Sequence, residues 1–231
     1  MGTVTILPET ARDPISLMGR RAGICWGADI ADEEKNHRRG LECIRNNHGR
    51  VLEFPDVHMV LEGYSAKCLR EYYTHIGGSP SRLQASTRYI DYSKGDGFAY
   101  VTPPKIAAHP QALAEWQTMM ADINGMIHRF IHTYDLPTED ATMALPLCYS
   151  SKMVDKRNPR SLIEMSHNRM CSRAYWEFRE LFGDISQALS DYSPEWKELV
   201  EMEFKPKCEW LGYCPEKYSC GRKPKKEDTG R

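Results

Sequence analysis

Over residues 110–134 apolar side chains return at helical spacing: Leu113, Trp116, Met120, Ile123, Met126, Ile127 and Phe130. That pattern predicts one long amphipathic helix, whose Met and aromatic stripe is core rather than a ligand box. At roughly 35 Å such a helix needs a broad partner surface, and the remaining chain must supply it. Residues 13–22 and 32–47 read as two further helices, the second ended at Asn47-His48-Gly49 by a glycine in the left-handed conformation. Residues 51–61 look like strand, with Pro55 marking an edge or bulge. Ser65 caps a helix to about Tyr73, and residues 74–86 form a backbone-exposing loop rich in Gly, Pro and Ser. The β-prone 87–92, the SKGDG turn and 98–103 then read as a hairpin. A short helix leads to Leu145-Pro146. Asn158 caps another that runs to about Leu189, with a break near Gly183, and Ser193 starts a last helix through Glu203. The expected fold is α+β, with long helices on a modest, mainly antiparallel sheet.

Its 231 residues, 41% hydrophobic, suit a domain over 1–204 with a Cys/Pro/Lys-rich tail over 205–231. The closing GRKPKKEDTGR reads as disordered. A formal charge of −1 gives no global attraction to nucleic acid or a membrane. The start lacks a signal peptide, and no apolar run approaches a membrane span. A soluble, cytoplasmic protein with no nucleic-acid or membrane partner is expected. Of eight cysteines, Cys25, Cys43, Cys68, Cys148 and Cys171 stand singly and read as reduced core residues. Cys208, Cys214 and Cys220 recur at even spacing in the tail, outside the usual CxxC zinc signatures. Plain structure is the favoured reading, with no metal in the functional site. A metal completed by a fourth ligand from elsewhere, and a redox pair, are the alternatives.

Two segments carry candidate chemistry. The Gly77-Gly78-Ser79 turn exposes backbone N–H groups that can approach a phosphate or a flavin closely. Beyond it Arg82, Gln84, Ser86 and Arg88 alternate, so an extended chain would aim all four to one side. Two guanidiniums, an amide and a hydroxyl suit a phosphorylated ligand with a pyrimidine-like ring; a solvated strand edge is the competing account. On the helix from Asn158, Arg160 with Glu164 and Arg169, Arg173 with Glu177 form ladders. Those ladders are either surface ion pairing or, because Trp176, Phe178 and Leu181 supply core, charges beside buried surface.

The string Thr74-His75-Ile76, nine residues, then Ser86-Thr87-Arg88-Tyr89 resembles the flavin-dependent thymidylate synthase signature: Arg-His-Arg, seven residues, then Ser, followed closely by Arg-Tyr. Leu145-Pro146, Asn158-Pro159-Arg160-Ser161-Leu162, Arg169 and Ala174-Tyr175-Trp176-Glu177 are similar to further blocks of that family, in order, and Glu53-Phe54 resembles its Glu-His pair. The likeness spans residues 10–203, and the string is like a variant signature of clostridial and phage members. It implies methylation of dUMP with FAD as redox cofactor, NADPH as reductant and 5,10-methylenetetrahydrofolate as carbon donor. It also implies a homotetramer with active sites between subunits. Arg169 would be catalytic and contact the pyrimidine. Glu71, Arg82, Gln84, Ser86 and Arg88 would bind dUMP, and His75, Gly77, Gly78, Ser79, Asn158, Arg160, Glu164 and Arg173 would bind FAD. Thr74 and Ile76 replace both triplet arginines, Thr142 stands for another, and Glu164 and Arg173 replace an asparagine and a histidine. Arg82 and Arg173 are the candidate replacements for lost contacts. These departures leave room for hydroxymethylation of another pyrimidine nucleotide, or for a non-catalytic nucleotide- or flavin-binding homologue.

Overall fold

A computed structural model describes residues 2–229. Its described residues form ten helices and one four-stranded antiparallel sheet of order β1-β2-β4-β3, so the α+β expectation holds. The strands are β1 (Thr3–Ile6), β2 (Val57–Ser65), β3 (Ser81–Gln84) and β4 (Ser150–Arg157). The helices are α1 (Pro14–Cys25), α2 (Glu33–Arg45), α3 (Ala66–Tyr73), α4 (Pro104–Ala107), α5 (Pro110–His132), α6 (Thr138–Ala141), α7 (Pro159–Arg169), α8 (Trp176–Tyr192), α9 (Pro194–Glu203) and α10 (Lys207–Leu211). No helix among the described residues is long and apolar enough to cross a membrane.

Local capping explains four helix starts, those of α2, α3, α7 and α9. Asp32, Ser65, Asn158 and Ser193 each accept a hydrogen bond from the backbone N–H three residues on, at 3.0–3.2 Å. α1 differs, because Asp13 makes no capping bond. Instead Glu195 Oε2 accepts from the N–H groups of Ile15 and Ser16 at 2.8 and 2.9 Å, placing a carboxylate on that helix N-terminus.

The chain divides into two units. The first takes in residues up to Thr3, Leu61–Tyr72 and Leu83–Met153. Its core is Phe98, Met120, Ile127, Ala141 and Tyr149, with Trp116, Ile123 and Phe130 packed half-buried against it. The α5 stripe is therefore only partly core: Met120 and Ile127 are its buried members, and Met119 next to Met120 is exposed. The second unit holds Val4–Val60, Tyr73–Arg82 and the chain from Val154 onward, including the tail. Here α1 and α2 pack with backbones nearly touching. A Cβ on Gly19 would stand 1.8 Å from the Asn36 carbonyl oxygen, and one on Gly40 2.1 Å from that of Ile15. Phe178, Leu181, Phe182, Ile185, Leu189 and Trp196 are fully buried along α8 and α9.

Several local expectations change. Residues 49–53 form a 3-10 turn, so β2 begins at Val57, beyond Pro55. Asn47, at φ 57°, rather than Gly49, takes the left-handed conformation after α2. The expected hairpin over 87–103 is turns plus one bridge, Tyr100 to Tyr149, because Asp91 ties the chain back through Ser93. The long helix after Asn158 breaks at Met170, at the end of α7, while Gly183 lies inside α8. Strands β1 and β4, unforeseen, and β3, inside the segment read as a loop, complete the sheet. Up to Thr229 the closing segment carries a bridge, Cys214 to Lys225, and a 3-10 turn; the disorder expected for residues 230–231 falls outside the described residues.

Candidate functional site

The N-terminus of α7 anchors the first part of the site. Asn158 is extended and buried, and its Oδ1 accepts from Ser161 N at 3.0 Å, which fixes the amide in place. The Gly77-Gly78 turn lies directly on that amide. Gly78 has φ +75°, and a Cβ there would stand 2.8 Å from Asn158 Nδ2; one on Gly77 would meet Glu164 Oε2 at 3.4 Å. Ser79 follows with φ 51°. Glycine at 78 is thus required twice, for conformation and for space. The result is a turn with exposed backbone, seated on a helix end that favours anions.

Beside it lies a stack of three side chains. Arg169 Nε donates to His75 Nε2 at 2.9 Å, and its guanidinium carbon is 4.5 Å from the Phe178 ring centroid. His75 meets the same ring edge-on, with centroids 5.8 Å apart. Burial, then the positive charges of Arg169, Arg157 and Arg82, hold the His75 pKa down at about 4. The imidazole is therefore neutral at ordinary pH. Its Nε2 lone pair accepts the Arg169 N–H hydrogen bond, which leaves the ring proton on Nδ1.

Beneath this runs a pair that sequence reasoning missed. Arg157 Nε and Nη2 donate to Asp155 Oδ2 and Oδ1 at 2.6 and 3.0 Å, and both side chains are fully buried. The signal was present as alternation: Ser151, Met153, Asp155 and Arg157 form the buried face of β4. It escaped notice because two of those inward residues are charged, and each is acceptable inside only beside the other. Phe178 reads as core from the sequence, and it is buried, yet its ring also meets Arg169 and His75.

The other basic candidates in this unit, Arg160, Arg173 and Arg82, are engaged with protein acceptors. Arg160 reaches Glu53 Oε1 at 2.5 Å and Glu164 Oε1 at 3.5 Å. Arg173 reaches Glu216 Oε2 at 3.0 Å. Arg82 turns back, donating to the Tyr73 carbonyl at 2.9 Å and lying 4.3 Å from that residue's ring centroid.

The other candidates belong to the first unit. Gln84 Nε2 donates to Ser151 Oγ at 3.2 Å, and Glu71 is half-buried on α3. Ser86 Oγ accepts from Arg88 N at 3.1 Å, and Arg88 Nε reaches Glu139 Oε2 at 2.9 Å from an exposed position. The four-residue alternation therefore fails after Gln84. β3 ends there, and a turn over residues 87–89 carries Arg88 away from any strand face. Thr142 is buried, with its hydroxyl 2.7 Å from the carbonyl oxygens of Thr87 and Thr138, so it braces that turn.

Comparison with known proteins bears on the family and the fold. The sequence pattern of the family described as "Thymidylate synthase complementing protein" matches residues 7–195. A flavin-dependent thymidylate synthase of Nitratidesulfovibrio vulgaris is 31% identical over 212 residues, covering 86% of this chain and 82% of that protein. One from Geobacter sulfurreducens is 29% identical, covering 95% and 94%. Among solved structures, the Helicobacter pylori flavin-dependent thymidylate synthase complexed with FAD and dUMP superposes with a TM-score of 0.66 at 17% identity, covering 88% of this chain and all of that one. A UMP/dUMP methylase of Streptomyces cacaoi gives 0.69 at 18% identity, covering 88% and 96%. Fold, motif order and relatives across most of the chain converge: this protein belongs to the thymidylate synthase complementing protein family, the family of the flavin-dependent thymidylate synthases.

Proposed function

We propose that the chain is a flavin-dependent thymidylate synthase that converts dUMP to dTMP. The observation that carries this reading is the Gly77-Gly78 turn seated on the Asn158 cap beside the His75–Arg169–Phe178 stack. The residues fit a flavin dinucleotide. A Cβ on Gly78 would clash with Asn158, so only bare backbone can lie this close to the helix end, and residues 77–79 stay exposed to a ligand. When bound, FAD would supply the redox chemistry, with NADPH as reductant and methylenetetrahydrofolate as carbon source.

Within that scheme this chain binds and orients. Gly77, Gly78 and Ser79 offer backbone N–H groups, and Asn158, Arg160 and Arg173 offer donors to phosphate or ring. The two arginines release Glu53, Glu164 or Glu216 as they do so. Neutral His75 holds Arg169 in place, so that a fixed cation faces the pyrimidine and stabilises negative charge growing on its ring oxygen. Glu71, Gln84, Ser86 and Arg88 are assigned to dUMP, with Arg88 exchanging Glu139 for phosphate. Arg82, bound to its own segment, is the weakest of the assigned ligands. The half-covered apolar stripe of α5 supports assembly of several copies, and we read the protein as a homotetramer with sites between subunits.

The test is direct. Purified protein should show an oxidised-flavin absorbance spectrum that shifts on dUMP addition. It should also form dTMP, identified by mass, only when NADPH and methylenetetrahydrofolate are both present. Colourless protein that cannot be loaded with FAD would overturn the reading. A product of different mass, or turnover of dCMP or UMP in place of dUMP, would overturn the substrate and keep the flavin. Light scattering of the eluted protein tests the tetramer.

A further inference from the structure

The tail contains little apolar material of its own. Between Lys205 and Thr229 the buried residues are Pro206, Cys208 and Cys214, so two of three are cysteines. A segment of turns with so small a core ordinarily needs a disulfide or a metal to hold one conformation. All eight cysteines are free thiols.

Cys208 and Cys214 face a cavity of about 300 Å³, which Cys171, Cys220 and His167 also line. His167 supplies an independent observation: its Nε2 is buried with no hydrogen-bond partner. The Trp210 ring lies beside that imidazole, with centroids 5.8 Å apart. A neutral imidazole can offer such a nitrogen to a metal ion. A buried ring nitrogen without a partner is a liability, since such groups are nearly always satisfied.

We propose that this cavity is a structural zinc site, in which Cys171, Cys208 and Cys214 supply thiolates and His167 Nε2 or Cys220 completes a tetrahedron. Soft sulfur donors with imidazole select zinc over magnesium or calcium. Three thiolates and one zinc ion leave a net negative charge, which Lys207 and Arg222 at the cavity wall offset. Among the described residues no group of three or more donors is already drawn together to hold an ion. Binding therefore rotates these side chains inward across the cavity and releases the thiol protons. The site joins the tail to the turn after α7. It would hold that turn, and the neighbouring Arg169 and Arg173, in place without taking part in chemistry.

Elemental analysis of full-length protein, purified with reductant and without chelator, should find roughly one zinc per chain. After zinc removal, Co2+ titrated into the reduced protein should produce thiolate-to-cobalt charge transfer and the strong d–d bands of tetrahedral coordination. Cys208→Ser and Cys214→Ser should weaken metal binding by roughly tenfold or more. Because these two variants can disturb the tail, His167→Gln and Cys220→Ser are read on the cobalt spectrum. A d–d shift with charge transfer retained in the first, or charge-transfer loss in the second, identifies the fourth ligand and supports the site. Zinc and cobalt both far below stoichiometric amounts in fully reduced protein would overturn it. So would undiminished metal in a Cys208→Ser/Cys214→Ser double variant, or a Cys208–Cys214 disulfide in protein purified without reductant.

Discussion

Arg169 and Arg88 are the same side chain under opposite conditions. Arg169 lies over the Phe178 ring with its Nε donating to a neutral histidine, in a unit floored by the buried Asp155–Arg157 pair. Arg88 stands on an exposed turn, paired with Glu139 in water. The first guanidinium is already placed before any ligand arrives; the second must leave one carboxylate for another anion. Preorganised charge favours a transition state, whereas an exposed, exchangeable charge mainly tunes ground-state affinity.

The largest effect should come from the floor of the Arg169 region. Asp155→Asn keeps the shape but removes the counter-charge of Arg157, and should lower unfolding free energy by about 3–5 kcal/mol. Urea denaturation measures this, and a change below about 1 kcal/mol would show that the floor is not what makes that region firm. Next, Arg169→Ala should reduce kcat for dTMP formation by about 10²–10³-fold. Arg169→Lys should recover little of it, since an ammonium lacks the planar fork that spans His75 and Phe178. Arg88→Ala should instead weaken dUMP binding by about 1.5–3 kcal/mol in calorimetry, with kcat nearly unchanged. Equal kcat losses at both positions would dissolve the contrast.

A smaller effect follows from His75. Its folded pKa of about 4 lies below the unfolded value of 6.5. Between those values the unfolded chain binds a proton that the folded chain refuses, so this contribution is complete above 6.5 and is lost as pH falls toward 4. His75→Asn should flatten the stability profile across that window, and an unchanged profile would remove the neutral histidine from the account. The smallest effect belongs to Arg160→Ala. Its ion pairs are half-exposed, so stability should stay within about 0.5 kcal/mol of the parent while bound flavin declines.

How much of this was legible depended on how far each interaction reaches. The starts of α2, α3, α7 and α9 could be read because Asp32, Ser65, Asn158 and Ser193 satisfy a donor three residues away. β4 was hidden because its inward residues include an aspartate and an arginine, which look like surface until paired. The alternation from Arg82 to Arg88 was plausible locally, but the turn braced by Thr142 ends it. The α5 stripe was recognised, yet its partial exposure depends on what packs against it.

Residue order alone therefore specified the starts of α2, α3, α7 and α9, the glycine turn and the family motifs, since these need only neighbours along the chain and backbone sterics. Folding in three dimensions chose the partners. It sent Glu195 across 180 positions to the start of α1, and it seated Arg169 on His75 across 94. It also gave Arg88 nothing firmer than an exposed carboxylate. Charges and polar groups act through space, and desolvation is settled only once distant segments have closed around them.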